Sequence, residues 1–107
     1  MIFNSHLHNE HFEKIKIGSK KIEARLFDEK RKLIKIGDSI LFLNRENNET
    51  LIKEVTNIFF AINFEGLLIN RDIKDFGFEE KEEFLNTLYS FYKKEDEEKF
   101  GVLGIVF

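Results

Sequence analysis

Apolar and polar positions change period several times along the chain, and each change marks a predicted element. From Lys21 to Phe27 they alternate strictly, with Ile22, Ala24 and Leu26 on one side and Lys21, Glu23 and Arg25 on the other, the period of a strand with one core face and one ionic face. Upstream, Phe12 and Ile15 lie three apart between Asn9, a suitable N-cap, and Gly18, a suitable stop, which predicts a short helix over 9–17. The opening Ile2-Phe3-Asn4 is too short to classify.

Downstream, Asp28 to Lys32 is polar enough for a loop or a single helical turn and is a candidate phosphate-contacting edge, and Lys35-Ile36-Gly37-Asp38 reads as a turn into a buried strand over 39–43. Asn47-Asn48-Glu49 marks a hairpin. Apolar content from Leu51 through Val55 to Ile58-Phe59-Phe60 predicts one long, bent return strand over about 50–61, and three strands so connected predict an antiparallel meander. Phe64 to Ile69 fits a short helix, and Phe76-Gly77-Phe78 an aromatic turn. Between Glu79 and Tyr92 the helical period puts Phe84, Leu85, Leu88, Phe91 and Tyr92 on one stripe behind an acidic start, which predicts a covering helix. A shorter helical turn over 95–99 stops at Gly101 before a last strand over 102–107.

Composition narrows this pattern to one α+β domain over residues 1–107, since 107 residues suffice for one core and not for two. No Cys is present, which excludes disulfides, thiolate metal sites and cysteine nucleophiles, and suits a cytoplasmic protein. No apolar run approaches the ~20 residues of a membrane helix. Thirteen Phe and no Trp predict a phenylalanine-rich core.

Net charge is only −3, which argues against non-specific coating of nucleic acid, but its distribution is uneven. Between Lys14 and Lys35 nine cations stand against Glu23, Asp28 and Glu29, whereas between Glu79 and Glu98 eight carboxylates stand against three lysines. The first segment is a candidate anion-binding patch; the second reads as a solvated face or, alternatively, a protein-interaction surface. His6, His8 and His11 read as structural or surface residues rather than metal ligands, and nothing in the chain asks for a cofactor. Ser19 and Ser39 have no partner His and carboxylate at motif spacing, so no catalytic role is assigned to them.

The candidate chemistry concentrates in Gly18, Lys20, Glu23 and Arg25, at G-x-K-x-x-E-x-R spacing. Arg25 and Glu23, two apart on one strand face, can meet, and an oriented Arg forks onto a carboxylate or phosphate; the alternative is an ordinary salt-bridged surface. This spacing, with Gly37-Asp38 before an apolar strand and the closing Lys99-Phe100-Gly101-Val102-Leu103-Gly104-Ile105, resembles the signature of the ASCH family, small domains of the PUA-like superfamily. The resemblance implies a small, mostly antiparallel β-barrel with two or three helices packed across it and a cleft lined by the signature Lys and Arg. It further implies binding of RNA, a nucleotide or a modified nucleoside. Some relatives hydrolyse RNA or remove an acyl group from N4 of cytidine; in the latter a Thr, activated by the signature Lys, stands where this chain has Glu23. That substitution departs from the amidohydrolase pattern and leaves Lys20 and Glu23 as the only catalytic candidates. Ligand contacts are expected from Lys20, Lys21, Glu23 and Arg25, with Tyr89 and Tyr92 of the covering helix either stacking on a base or simply packing.

Overall fold

In the computed structural model, which describes all residues from Met1 to Phe107, the alternating segment becomes strand β2 (Ile22–Leu26), entered from helix α1 (Asn9–Lys16). Gly18, at φ +86°, supplies the left-handed residue that stops α1. The other strands are β1 (Ile2–Leu7), β3 (Ser39–Asn44), β4 (Thr50–Glu54), β5 (Asn57–Ala61) and β6 (Val102–Val106); helices α2 (Lys81–Phe91) and α3 (Lys94–Phe100) lie between β5 and β6. The fold is α+β, with six strands and three α-helices, and no helix is long and apolar enough to cross a membrane.

The strands pair as two separate three-stranded sheets, β1-β3-β4 and β2-β6-β5, and not as one closed barrel. The expected meander is also replaced. β2 pairs with β6, while β3 lies between β1 and β4, because the segment from Phe27 to Asp38 carries the chain from one sheet to the other. The predicted long return strand is broken between Glu54 and Asn57, where the backbone changes partners. The N–H of Val55 donates to the Asp38 carbonyl at 2.7 Å, and the N–H of Thr56 donates to the Val106 carbonyl at 2.8 Å. The side chain of Val55 is fully buried, so its apolar signal reflects a pivot in the core rather than strand continuity. The unclassified N-terminus becomes β1, parallel to β3 in the register Ile2↔Ser39, while the other three pairings are antiparallel.

Two apolar clusters result. One packs Ile22, Ala24 and Leu26 of β2 beneath Phe84 and Leu88 of α2 and the turn carrying Phe76 and Phe78. The other joins Phe12 and Ile15 of α1 to Phe42 of β3 and to Leu103 and Ile105 of β6. β6 therefore serves both clusters, Val102 on one face and Leu103 and Ile105 on the other. Gly104 is the close-packing point of this strand: a Cβ there would overlap the Phe59 ring of β5. The stripe expected on α2 holds except at Phe91, which is largely exposed.

A charged cleft between the sheets

The register of β2 on β6 determines where the site lies. Glu23 is opposite Ile105 and Arg25 opposite Leu103, so on the same sheet face apolar side chains of β6 give way to two ions of β2. Here the core opens into a cleft of about 520 Å³, bounded by β1, β2 and α2, with Lys20, Glu23, Arg25 and Tyr92 in its lining.

Strict alternation would send Lys20 to the opposite side from Glu23 and Arg25. It reaches them because it precedes β2, its N–H donating to the Lys14 carbonyl at the end of α1. Its stem then crosses Gly77, where a Cβ would stand 2.8 Å from Lys20 Cδ; Gly77 also holds φ +87°, so only glycine suits both demands. Lys14 Nζ donates to the Gly77 carbonyl at 2.8 Å and ties this turn to α1.

Three ionic groups meet as a row. Lys20 Nζ is 3.1 Å from Glu23 Oε1, and Arg25 Nη2 is 3.2 Å from Glu23 Oε2. Arg25 Nη2 also donates to Ser5 Oγ of β1 at 2.9 Å, and Nη1 to the Ala24 carbonyl at 3.2 Å. Lys20 and Glu23 are only 4% and 5% exposed, so these are not surface pairs. Burial pushes the Glu23 carboxyl up, yet Arg25 and Lys20 together pull it below its ordinary range. Burial lowers the Lys20 ammonium, and Glu23 restores only part of that. Burial opposes the charge on Arg25 more than any one neighbour favours it, but Glu23 and the Tyr92 hydroxyl together outweigh burial and hold the guanidinium above its ordinary value.

His11 completes the row. Its Nδ1 is 3.4 Å from Lys20 Nζ, and its ring packs on Phe78 with centroids 5.1 Å apart. Burial, then the Lys20 charge, lowers its pKa to about 4, so near neutral pH the imidazole is uncharged. An ammonium only donates, so Nδ1 accepts and the proton of the neutral ring sits on Nε2. The row thus carries two cations and one anion, a net positive floor.

Of the expected site residues, Lys20, Glu23, Arg25 and Tyr92 come together, and Lys21 and Tyr89 do not. The Lys21 side chain is exposed outside the cleft, while its backbone joins β2 to the Asp75 carbonyl and the Phe107 amide. Tyr89 faces away from the cleft: its hydroxyl donates to Glu97 Oε2 at 2.7 Å, and burial with Glu97 raises its pKa to about 12. Glu97 also accepts from the Phe64 N–H at 2.9 Å, so this pair locks α2 and α3 to the neighbouring 3₁₀ turn. Sequence reasoning missed Ser5 and His11, the aromatic wall at Phe78 and Phe84, and the outer cation Arg45, whereas Lys30 and Arg31 come from the basic segment already singled out. A neutral His on the short helix leading into the signature was the one available signal for His11. No group of three or more His, Asp and Glu side chains is placed to hold a metal ion.

Residues 6–107 match the family model described as the ASCH domain. The fold is similar to the crystal structure of hypothetical protein PH0355, with 38% identity, a TM-score of 0.85, and coverage of 99% of this chain and 96% of that one. It is likewise similar to the solution NMR structure of protein PF0455 from Pyrococcus furiosus, with 36% identity, a TM-score of 0.77, and coverage of 99% and 94%. No curated protein matches the chain.

Proposed function

The chain belongs to the ASCH domain family, and from that premise we propose that residues 1–107 act as one binding module whose cleft takes a nucleotide or modified nucleoside, free or within RNA. The observation that carries this reading is the buried row Lys20–Glu23–Arg25 at the floor of a cleft of about 520 Å³. That volume falls within the ~300–1,000 Å³ of small-ligand sites, which favours one inserted nucleotide over a strand laid across a flat surface. Aromatic walls suit a base, and the outer cations Lys30, Arg31 and Arg45 suit its phosphate. The lack of cysteine is in keeping with a cytoplasmic setting.

A second reading, hydrolysis of an N4-acylcytidine or of RNA, has one observation in its favour. The Lys20 amine, lowered by burial, faces the same cleft as a carboxylate. Against it, Glu23 held between two cations is a weak base, and the family's Thr is absent at that position.

The test is an NMR titration with nucleoside 5′-monophosphates and short single-stranded RNA, following backbone amides. Amides around Ser5, His11 and Lys20 to Arg25 should shift, and Arg25→Ala should abolish the response. RNA affinity should fall with salt at a log–log slope of about −2, since three outer cations release ~0.7 counterion each. Shifts confined to other surfaces, or none at millimolar ligand, would remove the proposal.

A further inference from the structure

The ionic groups at the floor form a row with the anion in the middle, and this order has chemical meaning. Each Glu23 oxygen takes one cation, at 3.1 and 3.2 Å, and a carboxylate oxygen has two lone pairs, so Glu23 retains acceptor capacity. The Lys20 ammonium has three N–H bonds; its polar partners in the protein are Glu23 and His11, and it lies over the Phe78 ring at 6.0 Å from the centroid. Arg25 has five; Nη1 donates to the Ala24 carbonyl and Nη2 to Ser5 Oγ and Glu23 Oε2, which leaves Nε–H and one Nη1 hydrogen for the Tyr92 hydroxyl and the cleft. Facing the cleft, the row offers donor, acceptor, donor.

Resting on the nucleotide reading of the cleft, we infer that this row reads the imide edge of a uracil-type base: carbonyl, N–H, carbonyl. One carbonyl receives Lys20, the N3–H donates to Glu23, and the other carbonyl receives Arg25. A cytosine edge turned to the same row sets an amino donor against a cation and an unprotonated N3 against the carboxylate. Guanine replaces one carbonyl with an amino group, and adenine presents an amino donor beside a bare nitrogen. In each case a buried ion is left without its partner, the kind of mismatch that polar sites discriminate against most strongly.

Glu23 also decides which end of a nucleotide enters. A phosphate at the floor would lie against a carboxylate, so the anionic end is turned outward toward Lys30, Arg31 and Arg45. His11 acts as a positioning residue: its Nδ1 holds the Lys20 ammonium in line, and its Nε2–H, which has no partner within the protein, adds a donor beside the row.

The test compares wild-type protein with uridine, cytidine, adenosine and guanosine 5′-monophosphates, with 3-methyluridine 5′-monophosphate, and with short oligo-U and oligo-C, by calorimetry or NMR titration. Uridine monophosphate should bind about 10- to 100-fold tighter than the cytidine form, which loses two hydrogen bonds to buried ions, and 3-methylation should cost a similar factor, because it removes the one to Glu23 and puts a methyl group in its place. Glu23→Gln should erase the preference for U over C. Since that variant also loses stability, the 3-methyl ligand on wild-type protein is the deciding arm. Preference for oligo-U with weak monophosphate binding identifies a uridine within RNA as the source; the converse identifies free nucleotide. Nucleotides binding with equal affinity, or 3-methyluridine monophosphate binding as well as the parent, would overturn the inference and leave the nucleotide reading standing. No binding by any of them overturns both.

Discussion

Replacing Glu23 by Gln keeps the size of the side chain and removes the one anion between two buried cations. At 3.1 and 3.2 Å each ion pair is worth about 5 kcal/mol at an effective dielectric near 20, before desolvation is charged against it. Desolvation takes back much of that in the intact row. It does not help the variant, in which Lys20 and Arg25 remain buried and repel each other. The expected loss is about 3–5 kcal/mol, the usual result of removing one member of a buried pair. For a domain whose whole stability is ~5–15 kcal/mol, that corresponds to a fall in Tm of roughly 15–25 °C. Urea unfolding followed by far-UV circular dichroism suits this chain, which has no Trp.

The variant carries a pH signature as well. Burial lowers the Lys20 pKa and Glu23 partly restores it, so without Glu23 the amine gives up its proton at lower pH. A base whose folded pKa lies below its unfolded value, here near 10.5, stabilises the protein above that value, and the contribution is lost as pH falls toward the folded pKa. The deficit of Glu23→Gln should therefore shrink between pH 7 and pH 9.5. Lys20→Met combined with Glu23→Gln should recover part of it at pH 7. A cost below ~1 kcal/mol, unchanged by pH, would equate the row with exposed ion pairs and refute the reasoning.

Three further outcomes are expected. His11 has a folded pKa of about 4 against an ordinary 6.5, so the stability it contributes is complete above 6.5 and lost as pH falls from there to about 4; urea midpoints across that window should flatten in His11→Asn. Gly104→Ala drives a methyl into the Phe59 ring and should cost about 1–3 kcal/mol or more, with Phe59→Leu returning part of it; an unchanged midpoint would mean that β5 and β6 are not packed as described. Glu97→Ala strips the acceptor from both the Phe64 N–H and the Tyr89 hydroxyl and should cost about 1.5–3 kcal/mol, and spectrophotometric titration should show Tyr89 ionising below its present value of about 12, with the part due to burial retained.

What was legible in the sequence was what local periodicity controls. The alternation from Lys21 to Phe27 located β2 and its two faces, and Gly18 marked the turn that leaves Lys20 ahead of the strand. Pairings between distant segments were not legible. β1 exists as a strand because β3 holds it, 37 residues away, and three apolar-flanked residues carry no trace of that partner. Ser5 reaches Arg25 only through this pairing, which is why it was missed. The break at Val55 was hidden because burial, not strand continuity, was the source of its apolar signal. Tyr89 and Tyr92, three apart in the predicted covering helix, looked equivalent; Tyr92 falls just past the end of α2 in extended backbone and lines the cleft, whereas Glu97 of the next helix claims Tyr89.

The position of β6 has a consequence for how the molecule is made. The last strand in sequence is the middle strand of its sheet, with β2 and β5 bonded only to it. At ribosomal rates of ~5–20 residues per second, roughly 4–15 s separate the synthesis of β2 from that of β6. Through that interval the apolar face of β2 and the ionic row above it have no sheet to belong to, whereas β1, β3 and β4 have all their hydrogen-bonding partners once residue 54 is made. The nascent chain is thus expected to pair its first sheet before its second, and to form its binding cleft only after β6 has followed.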